Sequence, residues 1–157
     1  MLSKKLSLVS LAMISVLTCG SLLAADDAAP AGLTWMTNAA DAMALAKKEH
    51  KVVLADFTGS DWCGWCKKLK ADVYSTPEFK ALAKDKLILL EVDFPQNTPQ
   101  SDEVKKQNKE LGDKFKIDGY PTNIFLTPEG AEIGRIGGYE PKDDWLKSAK
   151  DILAKAK

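Results

Sequence analysis

Two cysteines stand three positions apart in Trp62-Cys63-Gly64-Trp65-Cys66, directly after an apolar run that reads as a strand. If a helix begins at this point, Cys66 lies one turn beyond Cys63 on the same face, and the two sulfurs are within bridging distance. Such a pair performs thiol–disulfide exchange: a thiolate attacks a disulfide to give a mixed disulfide, and the second thiol then attacks the first sulfur. The attacking form is the thiolate. At a helix start, unpaired N–H groups and the positive end of the peptide dipole favour an anion, so Cys63 is expected to have a depressed pKa. Lys67 and Lys68 add positive potential while Asp61 removes some, which makes the sign of that shift clearer than its size.

The elements that must hold this turn follow from periodicity. Lys51 to Phe57, with Val52, Val53, Leu54 and Phe57, reads as a buried strand, and Trp65, Leu69 and Val73 recur at helical spacing after the turn. Upstream, Leu33-Thr34-Trp35 suits a short edge strand, and Thr37 or Asn38 can cap a helix over Ala39 to Glu49. His50, the single histidine, falls at the end of that helix, where an imidazolium is solvated and stabilised by the dipole, so no catalytic role is assigned to it. Ser75-Thr76-Pro77-Glu78 restarts a helix that continues over Phe79 to Lys84. Leu87 to Asp93 is a nearly continuous apolar run, as expected of a central strand buried on both faces. A polar loop over 96–104 leads to a helix from Val104 to Phe115, then strands over Asn123–Thr127 and Ala131–Ile136 joined by Pro128-Glu129-Gly130. A last helix opens at Glu140-Pro141-Lys142 and turns Trp145, Leu146, Ile152 and Leu153 inward. The order β-α-β-α-β-α-β-β-α implies an α/β fold, a central mixed sheet flanked by helices on both faces.

The 157 residues, 45% apolar and 28% charged, suit one domain with a sizeable core. Lys4 and Lys5 precede an apolar run from Leu6 to Leu17, followed by small residues at Ser21, Ala24 and Ala25, so residues 1–25 read as a secretory signal peptide, too short and wrongly flanked for a lasting membrane anchor. Cys19 leaves with that segment, and Thr18 fits poorly as the residue before a lipid-modified cysteine. Residues 26–32, rich in Ala with Pro30, are expected to be a flexible mature N-terminus. Cleavage leaves 20 basic and 22 acidic residues, a net charge of −2, which speaks against a nucleic-acid surface. Export to a periplasmic, oxidising compartment makes a structural disulfide the plain alternative for Cys63 and Cys66. Against it, a bridge closing so small a loop constrains the unfolded chain little. A zinc or copper site needs more ligands than two cysteines, so no metal is expected.

Three features in the same order and spacing resemble the thioredoxin superfamily over nearly the whole of residues 33–157: Trp62-Cys63-Gly64-Trp65-Cys66 after a strand, Gly119-Tyr120-Pro121-Thr122 before a hairpin, and Gly137-Gly138 after it. The helix restart at Thr76-Pro77 and the lengthened polar segment after Asp93 are similar to the soluble domain of transmembrane disulfide reductases. The resemblance implies a cis peptide bond before Pro121 beside the cysteines, with the backbone of Tyr120 open to an extended substrate strand. It also implies that Asp56 corresponds to a buried aspartate of thioredoxin, one residue further from the first cysteine. That offset leaves Asp56 either as proton acceptor for Cys66 or in a structural or surface role. Trp65 replaces the proline that thioredoxin carries between its cysteines, and the Gly64-Trp65 pair does not announce which redox form is favoured.

The function expected is thus an exported thiol–disulfide oxidoreductase, reducing or isomerising protein disulfides through Cys63 and Cys66. Trp62, Gly64, Trp65, Tyr120 and Pro121 would form the substrate rim. The redox-active pair serves in place of a cofactor, protein disulfides are the substrates, a membrane-embedded donor supplies electrons, and a monomer is expected. Two alternatives stay open: a disulfide oxidase running the same parts in reverse, and a non-catalytic binding or chaperone module of the same fold.

Overall fold

The computed structural model describes residues 33–156; the signal peptide expected over 1–25, the segment 26–32 and Cys19 lie outside them. Five strands run in the order β1-β3-β2-β4-β5: β1 (Trp35–Met36), β2 (Val52–Thr58), β3 (Leu87–Asp93), β4 (Thr122–Leu126) and β5 (Glu132–Gly137). The pairs β1–β3 and β2–β3 are parallel, whereas β2–β4 and β4–β5 are antiparallel. This is the mixed sheet expected from strands that alternate with helices and end in a hairpin.

Alternation along β2 divides the core in two. Val52 and Leu54 face one layer with Leu69, Val73, Phe79, Trp145 and Ile152, while Val53, Ala55 and Phe57 face the other with Ala42, Ala46 and Phe115. The first layer belongs to α2 (Gly64–Leu69), α3 (Pro77–Lys86) and α5 (Lys142–Leu153), the second to α1 (Ala39–Glu49) and α4 (Asp102–Phe115). Both faces are therefore covered. Each large side chain buried here contributes about 1.5–3 kcal/mol, and Trp145, Phe57, Phe79 and Phe125 are wholly buried.

Local chemistry sets the helix ends. The Asn38 side chain accepts the Asp41 N–H, Thr76 accepts the Phe79 N–H ahead of Pro77, and Ser101 accepts the Val104 N–H. The Ser101 cap starts α4 two residues before the apolar periodicity becomes visible. His50 closes α1 in a left-handed conformation (φ 55°), an exposed capping position with no link to the cysteines. The helix after the cysteines is not uniform: Lys70–Tyr74 forms a π-helical turn, with the Ser75 N–H on the Lys70 carbonyl. Both Val73 and Tyr74 are buried by it. At Gly134, a Cβ would come 2.8 Å from Cγ1 of Ile152, so the missing side chain lets α5 dock on β5.

Candidate active site

β2 ends at Thr58 and the chain turns through Gly59-Ser60-Asp61-Trp62 before α2, with the Cys63 N–H bonded to the Gly59 carbonyl at 2.8 Å. Cys63 is the N-cap of α2, as the sequence predicted. Its Sγ accepts the Cys66 N–H at 3.1 Å, as capping oxygens do in other helices. The two cysteines are joined as a disulfide, with S–S 2.06 Å and Cα atoms 5.3 Å apart. Their exposures, 5% and 6%, do not tell them apart. Their surroundings do, because Cys66 lines a cavity of about 50 Å³ that also contains Asp56 and Glu91.

Asp56 sits on the same face of β2 as Val52 and Leu54 and is 6% exposed, which removes the surface role left open by the sequence. Burial raises its carboxyl from 3.8 to about 7; the hydrogen bond with Tyr74 lowers it, the charge of Glu91 raises it, and Asn123 and Lys70 lower it. Burial likewise holds the Tyr74 hydroxyl well above its ordinary value, with the nearby Asp56 charge adding to the effect.

Asn123 holds this group in place. Its Nδ2 donates to Asp56 Oδ1 at 2.7 Å and to the Tyr74 hydroxyl at 2.8 Å, and its Oδ1 accepts the Trp145 indole N–H at 2.7 Å. An indole N–H can only donate, so Trp145 fixes which end of the amide is oxygen and turns both amide hydrogens toward Asp56 and Tyr74. The only sequence sign of this role is a polar residue within the apolar strand Thr122–Leu126.

The rim is aromatic. Trp62 is 41% and Trp65 60% exposed, the two large apolar side chains most open to solvent among the described residues. Trp62 is held by its indole N–H on the Phe94 carbonyl (2.8 Å) and by the edge of Tyr120, with ring centroids 5.7 Å apart. A Cβ on Gly59 would run into that indole, so this glycine is required by close approach. Trp65 lies against Tyr139 at 5.4 Å, and Gly64 is exposed between the two tryptophans.

Tyr120–Pro121 is a cis peptide, as the resemblance implied. It immediately precedes β4, whose Thr122 pairs with Phe57 near the end of β2, so Pro121 and the redox turn lie at the same end of the sheet. The fold thus brings Cys63, Cys66 and Asp56 together, and Trp62 in contact with Tyr120.

Asp61 behaves otherwise than its charge alone suggested. Its carboxylate accepts the backbone N–H groups of Gln96, Asn97 and Thr98 at 2.9, 2.6 and 2.9 Å, and these bonds hold its pKa near 2. With Ser60 bonded to the Asp93 carboxylate, it fastens the polar loop after β3 to the redox turn. Among the described residues no group of three His, Cys, Asp or Glu could hold a metal ion, and no helix is long and apolar enough to cross a membrane.

Comparison with known proteins agrees with this geometry. A family described as thioredoxin-like domain matches residues 39–153. The disulfide bond reductase DsbH of Chlamydia pneumoniae is 40% identical over 113 residues, 72% of this chain and 67% of the relative. The thiol:disulfide interchange protein DsbD of Photorhabdus laumondii subsp. laumondii is 32% identical over 97 residues, 60% of this chain but only 15% of that protein. A solved structure described as DsbH oxidoreductase superposes with a TM-score of 0.74 at 34% identity, covering 85% of this chain and 92% of the other. With its disulfide at the head of a helix, a cis proline at the same end of the sheet and a family match across the described fold, the chain belongs to the thioredoxin-like family.

Proposed function

We propose that this protein is an exported thiol–disulfide oxidoreductase that reduces protein disulfides. The observation that carries the reading is the asymmetry of the pair: Cys63 caps a helix, whereas Cys66 faces a buried carboxyl whose pKa is raised to about 7. Cys63 is the attacking thiolate, favoured by the helix start and by the Cys66 N–H aimed at its sulfur. It attacks one sulfur of the substrate disulfide; that bond breaks, and the departing sulfur takes a proton from solvent. Cys66 then gives its proton to Asp56, and its sulfur attacks Cys63, breaking the mixed disulfide; the second substrate sulfur leaves as a thiolate that takes a proton from solvent, and Cys63 and Cys66 are left oxidised. Two electrons have passed to the substrate.

Trp62, Gly64 and Trp65 are the surface that a substrate strand meets, with Tyr120 and Pro121 along one side. The Tyr120 backbone makes no hydrogen bond among the described residues, which suits pairing with an extended segment. Reduction is favoured because the relative from Chlamydia pneumoniae is itself described as a disulfide bond reductase. An exported reductase needs electrons from across the membrane, so a membrane-embedded dithiol donor is the natural partner. The Cys66→Ala variant tests the exchange reading: it should accumulate mixed disulfides through Cys63, and failure to trap any partner would leave only a binding module. Equilibration with glutathione tests direction, since a strongly oxidising potential would reverse it.

A further inference from the structure

The cavity behind Cys66 carries more titratable groups than the exchange step uses. Asp56 and Glu91 are in-register partners on the adjacent parallel strands β2 and β3. Their side chains leave the same face of the sheet, from backbones about 4.8 Å apart. Asp56 is buried and Glu91 half-buried, so the second carboxylate stands nearer to solvent. Lys67 and Lys70 complete the wall from α2 and the π turn, with Tyr74 at its inner end. Asp93, two residues along β3 from Glu91, is engaged by Ser60.

A buried carboxyl that takes a proton from Cys66 must lose it before the next cycle. Asp56 is bonded to Asn123 and Tyr74, is only 6% exposed, and lines the cavity that Glu91 also lines. A space of about 50 Å³ admits water, and its polar walls can hold it.

We propose that Glu91 is the outer station of a two-carboxylate proton relay, in which the proton leaving Cys66 passes to Asp56 and then through cavity water to Glu91 and solvent. The relay rests on the reading of Cys66 as the resolving thiol. It makes and breaks only S–H and O–H bonds, and moves no electrons. Electrostatics agree with the placement. Burial lifts Asp56 and the Glu91 charge lifts it further, while burial lifts Glu91 itself and Asp93 adds to that; Lys70 pulls both carboxyls back. Neutralising Glu91 and neutralising Lys70 should therefore move Asp56 in opposite directions, which loss of packing would not do.

The test compares the wild type with Glu91→Gln, Glu91→Asp and Lys70→Gln by two readouts: carboxyl-carbon NMR titration of Asp56 in the oxidised protein, and the pH profile of insulin reduction. Glu91→Gln should move the Asp56 midpoint to lower pH and slow turnover at pH 7 about tenfold, less than the roughly 10²–10⁴-fold loss of an acid–base group itself, because Asp56 still accepts the first proton. Glu91→Asp should recover most of that rate, and Lys70→Gln should move the midpoint to higher pH. A Glu91→Gln protein that turns over like the wild type overturns the relay, even if its Asp56 midpoint moves, for Glu91 is then only an electrostatic neighbour. A wild type that reduces no insulin would sink the exchange reading and the relay with it.

Discussion

Replacing Asp56 by Asn should stabilise the protein, and do so only above about pH 4, where the unfolded chain's carboxyl has lost the proton that the folded one keeps. The folded carboxyl titrates at about 7 instead of 3.8. Between those values the native state holds a proton that the unfolded chain has released, so stability falls as pH rises from about 4 to about 7 and then levels off. The gap, at about 1.36 kcal/mol per pKa unit, makes the ionised side chain cost about 4 kcal/mol at pH 8. Asn is nearly the same shape, and its carbonyl can still accept the bond from Asn123. Urea unfolding of the oxidised protein, followed by tryptophan fluorescence, would give the difference between variant and wild type at each pH. It should grow from near zero at pH 4 to about 4 kcal/mol at pH 8. Keeping the disulfide closed removes both thiols from the titration. A difference that stays constant with pH would refute the argument, as would a variant less stable than the wild type at pH 8. The same variant should reduce insulin more slowly, because the proton acceptor is gone.

Three further outcomes follow from the site. Asn123→Ala removes the partner of Asp56, Tyr74 and the Trp145 N–H at once; it should cost about 3 kcal/mol or more by urea unfolding, since buried polar groups are left unpaired. Asp61→Ala should speed hydrogen exchange at the amides of Gln96, Asn97 and Thr98. In the wild type the carboxylate is favoured by folding, so its contribution is present above about pH 4 and is lost toward pH 2, and protection of those amides should fall in that window. Trp62→Ala and Trp65→Ala should lower kcat/KM for insulin about tenfold, the loss of one good aromatic contact, while leaving reduction of a small aromatic disulfide within about twofold; equal losses on both substrates would argue against a substrate rim.

What could be read from the sequence was what repeats locally. The β2 strand, the cysteine turn and the inward stripe of α5 announce themselves because apolar spacing and the turn residues are contiguous in the chain. The Asn123 network does not, because its partners Asp56 and Tyr74 lie 67 and 49 positions away. In sequence it is one polar residue in a strand. Glu91 is hidden for a similar reason: within Leu87–Asp93 it looks like an interruption of an apolar run, and only the register with Asp56 gives it a neighbour. Asp61 was legible as a charge but not as a ligand for three amides, because that depends on how the loop after β3 folds back. The π turn at Lys70–Tyr74 also left no periodic mark, since one extra residue shifts the inward face only after Val73.

The division of labour between the sulfurs follows from these placements and not from access. Both cysteines are nearly covered in the disulfide, so exposure selects neither. Once the bond is reduced, the Cys66 N–H already directed at Cys63 Sγ becomes a charge-assisted bond to a thiolate. On the other side, a negative charge on Cys66 would face Asp56 and Glu91 across the cavity, and like charges that close do not coexist readily. Cys66 therefore keeps its proton until Asp56 is free to take it, and the anion collects on Cys63. The same buried carboxyl that lowers stability as pH rises from about 4 to about 7 thereby sets the order of attack, because its reluctance to remain charged is what draws the proton from the second thiol. Moving the carboxyl to a solvated site would relieve the cost and remove the proton acceptor together.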